Sequence, residues 1–435
     1  MWSSSISLGD ELSISGITAT DLAREFGTPV FIMDEADFRS RAKNWDSALK
    51  SAFGSNSGTV YYAAKAFICT EVARWIKDIG IGIDVCTGGE LAVALAGEID
   101  PSTIQVHGNN KSVAEIDRAV SVGVGNIVID SLFEIERVAA AAAKYGKIQK
   151  VLLRLTPGIE AHTHEFIATA HEDVKFGFSI ASGAAWNAIE EVRKFPSIDL
   201  RGLHAHIGSQ ILDTESFEIS AERLISLLGK YRDAFGVELP ELDLGGGYGI
   251  HYLPGDEELE PAVAMNALAN AVAANCALNK LKIPRISVEP GRAIVGPTMF
   301  TLYEVGTVKD VNLENGDNRR YISIDGGMSE NIRPALYGAK YTAILANRKS
   351  TAALTSSRLV GKHCETGDIL IREIDLASDI EPGDLLATPA TGAYGRSMAS
   401  NYNHVPRPPV VAVNNGNARI IVRRETETDL LGLDI

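Results

Sequence analysis

Short apolar, β-branched runs recur along the chain before Met299, and each ends in glycine or polar residues. They are Val60–Ala63, Ile81–Val85, Ile104–Val106, Asn126–Ile129, Lys150–Leu155, Leu200–Ala205, Glu241–Leu244 and Arg285–Val288. Between several of them, apolar residues fall at helical spacing: Val72, Ile76 and Ile79; Val113, Ile116 and Val120; Leu132, Ile135 and Val138 or Ala139. A stripe that returns every three or four residues predicts a helix with one buried face. Strand alternating with helix means parallel strands joined by crossovers, because a tight turn cannot reach a parallel neighbour. Eight such units predict an α/β fold, a closed (β/α)8 TIM-type barrel. An open doubly wound sheet is the competing arrangement.

The pattern changes after Met299. Thr301–Val308, Tyr321–Ile324, Ile369–Ile374 and Pro409–Val413 read as strands without helical partners of similar length. Val410–Val413 and Arg419–Val422 flank Asn414-Asn415-Gly416-Asn417, which is hairpin chemistry. Near the start, Pro29–Met33 reads as one more strand, able to join the C-terminal sheet. The expected organisation is a barrel over residues 37–299 and a β-rich, sandwich- or barrel-like second domain. That second domain comprises residues 300–435 and takes in residues 1–36.

Composition narrows the function. Across 435 residues, 45% are hydrophobic and 22% charged, which suits a globular chain. The net charge of −15 argues against a nucleic-acid or anionic-membrane partner, so an anionic ligand needs a local site. Cys69, Cys86, Cys276 and Cys364 form no Cys-x-x-Cys pair, which fits a reducing cytoplasm. Met1–Ser7 does not read as a signal peptide. Pro261–Asn279 is uncharged, but Asn266, Asn270, Asn275 and Asn279 fall near one helical face, so an amphipathic surface helix is expected.

The chemistry-bearing residues gather at the ends of the runs. Lys65 follows the first; Asp84 and Thr87-Gly88-Gly89-Glu90 belong to the second; His107-Gly108-Asn109-Asn110 follows the third. His204, His206 and Ser209 close the sixth, Gly245–Gly247 the seventh, and Glu289-Pro290-Gly291-Arg292 the eighth. In a barrel these positions share one face, the C-terminal face where active sites are built. Lys65, among apolar neighbours, is either a snorkelling lysine or a desolvated amine suited to forming a Schiff base. The glycine triplet lacks the Gly-x-Gly-x-x-Gly dinucleotide spacing but lets backbone N–H groups approach a phosphate; a plain turn is the alternative. Glu289 and Arg292 suit either a surface ion pair or a ring-nitrogen partner beside an anion-binding arginine. His204 and His206, and His162 and His164, invite a zinc reading, but no further ligand has convincing spacing and no metal is expected. A flat imidazole stacked on a cofactor ring is the better use of His206. Cys364, beside Glu365 and a turn, is either a small buried hydrophobe or a thiol acting as an acid.

Together these segments resemble the barrel-type pyridoxal-phosphate (PLP) decarboxylases, a family that also includes ornithine and arginine decarboxylases and alanine racemase. The wording is closest to its diaminopimelate decarboxylases of actinobacterial type. The resemblance runs through Tyr62–Phe67, Asp84–Glu90, His107–Ser112, Glu160–Phe166, Lys175–Gly177, His204–Gln210 and Leu244–Gly247. It continues through Glu289–Arg292, Arg333–Tyr337, Cys364–Asp368 and Gly392–Gly395, so it covers nearly the whole chain. It implies decarboxylation of meso-diaminopimelate to L-lysine with PLP as cofactor. Lys65 would hold the cofactor and His206 would stack on its ring. Asp84, Ser209, Gly247, Glu289, Gly291 and Arg292 would bind it, with Glu289 at the ring nitrogen. Arg292, Arg333, Tyr337 and Glu365 would bind substrate, Tyr394 would touch both cofactor and substrate, and Cys364 would donate the proton. The resemblance also implies a homodimer whose Cys364-Glu365 segment completes the partner's site. Thr366 departs from the serine common there but keeps a hydroxyl, and Gly395-Arg396 follows Tyr394 where the family varies. An ornithine- or arginine-type decarboxylase and a non-catalytic PLP-binding protein are the alternatives.

Overall fold

Eight parallel strands close on themselves: β1 (Ser57–Ala63), β2 (Gly82–Val85), β3 (Ile104–Val106), β4 (Asn126–Ile129), β5 (Gln149–Thr156), β6 (Ile198–His204), β7 (Glu241–Asp243) and β8 (Arg285–Val288). Each pairs with the next, and β8 pairs with β1, so no edge is left open. This is the expected barrel. The computed structural model describes residues 1–159, 175–314, 316 and 318–435. These divide into two units: Arg41–Gly249 with Glu258–Ala293, and Met1–Ser40 with Ile250–Glu257 and Ile294–Ile435. Ile250–Glu257, within the span expected for the barrel, is thus placed with the other unit.

In the barrel unit, helices α1 (Thr70–Ile79), α2 (Gly88–Ala96), α3 (Val113–Val122), α4 (Leu132–Lys144), α5 (Ala184–Val192), α6 (Glu215–Phe235) and α7 (Pro261–Leu278) join successive strands. Polar caps start several of them close to the strand ends. The Thr87 hydroxyl accepts from the Glu90 N–H, and Ser112 and Glu115 form a reciprocal capping box. The stripes read from the sequence are buried at Val72 and Ile76, at Ile116 and Val120, and at Ile135, Val138 and Ala139. Val113 and Leu132, expected on the same faces, are exposed. Each is the first residue of its helix. Helix α7 buries Ala264, Met265, Leu268, Val272 and Cys276 on one face, packs against α6, and leaves Asn266 and Asn270 exposed. Among the described residues it is the one helix long and apolar enough, by length and composition, to cross a membrane.

One buried ion pair joins two strand ends. Lys111, after β3, lies 2.9 Å from Glu134 in the first turn of α4 and donates to the Gly108 and Val128 carbonyls at 2.7 Å each. Both side chains are almost wholly buried, and burial pushes the lysine pKa down and the glutamate pKa up. Lys111→Ala removes the charge facing Glu134, which keeps only the Asp130 N–H at 2.8 Å, and a donor to two carbonyls, so a loss of about 3 kcal/mol is expected in urea unfolding.

The second unit holds a sheet in the order Ile369–Ala377, Leu354–Val360, Asn318–Ile324, Met299–Asn312, Val30–Asp34, Val410–Asn414, Asn417–Val422. Val30–Asp34 lies inside that sheet, antiparallel to Met299–Asn312 and parallel to Val410–Asn414. The N-terminal strand therefore completes the C-terminal sheet. Val30, Ile32, Phe300, Leu302, Val411 and Val413 form its core. The last two strands are a hairpin whose turn residues, Asn415 (φ 49°) and Gly416 (φ 74°), both take the left-handed backbone such a turn requires.

Candidate active site

The strand ladder continues past the C-terminal ends of the barrel strands and fixes where each loop begins. Ala64 N–H donates to the Asp84 carbonyl, His107 N–H to Val85, Ala205 N–H to Asp243 and Glu289 N–H to Gly245. Lys65, Asp84, His206, Ser209, Gly247, Glu289, Gly291 and Arg292 all stand at or just beyond these ends. The barrel thus brings the expected cofactor residues of this unit to one face.

The glycines there are packed backbone against backbone. A Cβ on Gly245, Gly246 or Gly247 would stand 2.2 Å from the Ala205 carbonyl oxygen, 2.2 Å from that of Glu289, or 2.4 Å from that of Gly208. Gly245 and Gly247 also take positive φ, at 69° and 115°. A Cβ on Gly291 would stand 2.7 Å from that of Ala63, so this glycine lets the β8 loop close on the β1 end next to Lys65.

Glu289 is the electrostatic centre. It is 2% exposed, and its carboxylate lies 2.8 Å from His107 Nε2, 2.9 Å from Gln105 Nε2 and 3.3 Å from His204 Nε2. Burial opposes its charge, but the two facing imidazoles outweigh burial and hold the carboxyl well below the usual range. Burial pushes His107 down to about 3, against the pull of Glu289. Burial raises the neighbouring Asp243 carboxyl well above its usual range, and Glu289 adds to the rise. Glu289 therefore faces His107 and His204 rather than forming an ion pair with Arg292. Arg292 donates instead to the Ser209 hydroxyl, from Nη2 at 3.0 Å and Nε at 3.3 Å.

Lys65 is half-buried, and its charge is felt at Asp84, Cys86, Glu90 and His206. Asp84 is fully buried; burial lifts its carboxyl well above the usual range although Lys65 pulls it down. Neither of its side-chain oxygens has a hydrogen-bond partner within the described chain. Burial, then Lys65 and Arg154, hold His206 well below its ordinary pKa, and its Nδ1 accepts from the Gly246 N–H at 3.2 Å. A neutral, oriented ring suits stacking. Burial pushes the Cys86 thiol up to about 12, which leaves it inert.

Arg333, Tyr337, Cys364, Glu365 and Tyr394 belong to the second unit. Arg333 is buried and donates to the Tyr252 hydroxyl at 3.0 Å and to the Tyr341 hydroxyl. Tyr337 ends the short helix that Arg333 begins. Cys364 is exposed and not a buried hydrophobe. Its loop is pinned by Asp368, whose carboxylate accepts from Met328 N–H at 2.6 Å and His363 N–H at 2.8 Å. Glu365 accepts from Gly367 N–H and the Thr366 hydroxyl, so the Thr366 departure keeps a working donor. Tyr394 is half-buried with φ 61°. The segment Glu160–Phe166, with His162 and His164, lies outside the described residues.

Sequence reasoning gave no role to Gln105, His107, His204 or Asp243 around Glu289, nor to Arg154 beside His206. The available signal was Gln105 itself, an amide inside a three-residue apolar strand. Among the described residues His107, His204 and Glu289 also form a cluster compact enough for an ion, their ligand atoms lying within 4.8 Å of one another. The hydrogen bonds above already account for those close approaches.

Three comparisons bear on what this site is. Residues 35–296 match the family described as pyridoxal-dependent decarboxylase, pyridoxal binding domain. A diaminopimelate decarboxylase of Mycobacterium bovis is 54% identical over 426 residues, covering 97% of this chain and 94% of the relative. One from Corynebacterium efficiens is 48% identical, covering 98% and 91%. Among solved structures, a diaminopimelate decarboxylase from M. jannaschii in complex with L-lysine has a TM-score of 0.92 at 29% identity, covering 100% of this chain and 99% of that one. With a lysine and a buried glutamate on one barrel face, and with actinobacterial relatives along almost its full length, the chain belongs to the pyridoxal-dependent decarboxylases and, within them, to the diaminopimelate decarboxylase family.

Proposed function

We propose that this chain removes the carboxylate at the D-centre of meso-diaminopimelate as CO2 and releases L-lysine, with pyridoxal phosphate bound at the C-terminal face of the barrel. The observation that carries the reading is Glu289, buried yet held as an anion by N–H donors on the same face as Lys65. The residues present fit the cofactor. Asp84 offers two buried carboxyl oxygens without hydrogen-bond partners among the described residues, and the glycine triplet leaves backbone where side chains would fill the space.

When bound, pyridoxal phosphate supplies an electron-withdrawing ring that accepts the electron pair left by the departing carboxylate. Lys65 Nζ would anchor the cofactor aldehyde. Glu289 would hold a proton at the ring nitrogen, and His206 would stack on the ring. Asp84 stands against the charge of Lys65. Ser209, Gly247, Gly291 and Arg292 would hold the phosphate and ring. Arg292, Arg333, Tyr337 and Glu365 would grip the distant amino-acid end, and that binding energy would orient the scissile bond. Tyr394 would serve both cofactor and substrate. Cys364 Sγ would deliver the proton that replaces the carboxylate. We place Cys364 and Glu365 in the site of a second copy, which makes the working unit a cytoplasmic homodimer. The exposure of Cys364 on a pinned loop supports this.

The test is mass spectrometry of products from meso-diaminopimelate, ornithine and arginine, each with and without added cofactor. L-lysine from meso-diaminopimelate, dependent on the cofactor, is the expected outcome. CO2 release from ornithine or arginine alone overturns the substrate assignment, and a cofactor-loaded protein inert toward all three overturns the activity.

A further inference from the structure

We infer that Gln105 is a positioning residue for Glu289: its one amide bridges the Asp243 and Glu289 carboxyl groups and thereby compels His107 to donate its own N–H to Glu289. The argument is a count of hydrogens. Gln105 Nε2 lies 2.8 Å from Asp243 Oδ2, 2.9 Å from Glu289 Oε1 and 3.1 Å from His107 Nε2. A side-chain amide has two hydrogens. The two carboxyl oxygens, at 2.8 and 2.9 Å, are the nearest acceptors and take both. His107 Nε2 then receives nothing from Gln105, and its 2.8 Å contact with Glu289 is a hydrogen bond that the imidazole donates.

All the participants are buried: Gln105 and His204 are 0% exposed, Asp243 1%, Glu289 2% and His107 4%. Water is therefore a poor substitute for a lost donor. The ends of the bridge are fixed as well. Asp243 Oδ1 accepts from the Gly245 N–H at 2.9 Å, and Asn126 Nδ2 reaches the Gln105 carbonyl oxygen at 3.4 Å.

Gln105 thus bridges two buried carboxyl groups that also lie within hydrogen-bonding reach of each other. Facing carboxyl groups share a proton. Burial raises the Asp243 carboxyl and so favours leaving that proton on Asp243. Without the amide donating to both, the shared proton is drawn toward Glu289, and Glu289 answers a cationic ring nitrogen less well. This inference rests on the reading of Glu289 as the ring-nitrogen partner.

The experiment binds pyridoxal phosphate labelled with 15N in the ring to the wild-type enzyme and to Glu289→Gln, Gln105→Met and Gln105→Glu. It reads the ring-nitrogen chemical shift, which separates protonated from unprotonated rings, together with kcat and KM. Glu289→Gln is expected to move the shift toward the unprotonated form. Gln105→Met, isosteric but without a donor, is expected to move it part of the way and lower kcat about 10–100-fold, the scale typical of residues that orient a functional group, with KM little changed. Gln105→Glu has at most one hydrogen for two carboxyl groups and moves the shift in the same direction; should the methionine variant not fold, this variant decides. If Glu289→Gln moves the shift while the folded Gln105 variants keep the wild-type value, the inference is overturned and the reading of Glu289 stands. If Glu289→Gln leaves the shift unmoved, the reading of Glu289 falls and takes the inference with it.

Discussion

Lys65→Ala is expected to lower turnover of meso-diaminopimelate by more than about a thousandfold, the scale seen when a covalent catalytic group is removed. It is also expected to erase the visible absorbance that a lysine-bound cofactor gives. The side chain is half-buried in the loop just beyond β1, and its charge acts on Asp84, Glu90 and His206. Its removal should therefore leave the thermal unfolding midpoint close to wild type, which distinguishes lost chemistry from lost fold. A variant that keeps both the absorbance and full turnover would falsify the role given to Lys65.

The second large effect concerns Cys364. Cys364→Ala is expected to lower kcat by about a hundredfold or more, as loss of a general acid does, while cofactor absorbance persists. Its side chain is exposed on a loop held by Asp368 and Asn403, so the substitution should cost little stability. The same variant tests the shared site. Lys65→Ala and Cys364→Ala subunits, each nearly inactive, are mixed and allowed to exchange. If each site takes Lys65 from one chain and Cys364 from the other, half the dimers are mixed, each mixed dimer has one intact site, and about a quarter of wild-type turnover returns. Normal turnover by Cys364→Ala alone would remove the proton-donor role. No recovery on mixing, with subunit exchange shown by mass, would place both residues in one chain's own site.

Much of the site was legible because barrel geometry converts sequence position into spatial position. A residue just past a strand lies on the C-terminal face whatever the rest of the chain does. Lys65 after β1, the glycine triplet after β7 and Glu289 after β8 needed only the strands to be found, and β-branched runs bounded by glycine mark strands well. The hairpin was legible for a similar local reason, since Asn415-Gly416 suits the backbone its turn demands. Val113 and Leu132 mark the limit of such reading. Periodicity finds a helix face but not which of its positions, here the first of each helix, the fold leaves uncovered.

The sequence alone therefore determined the alternation of strand and helix, the closed barrel, the return of Val30–Asp34 to the C-terminal sheet, and which loops carry chemistry, because each depends on local pattern and chain order. Only the tertiary structure decided what Glu289 faces. Asp243 and His204 reach Glu289 from the neighbouring strands β7 and β6, whereas Gln105 and His107, from β3 and the loop after it, meet Glu289 because the barrel closes between β8 and β1. The same holds for Arg333, whose partners Tyr252 and Tyr341 arrive from a segment embedded in the barrel's span and from beyond its own helix. Hydrogen bonds between distant parts of a chain leave no periodicity behind, so burial and partner geometry had to be seen before the charge of that carboxylate could be understood.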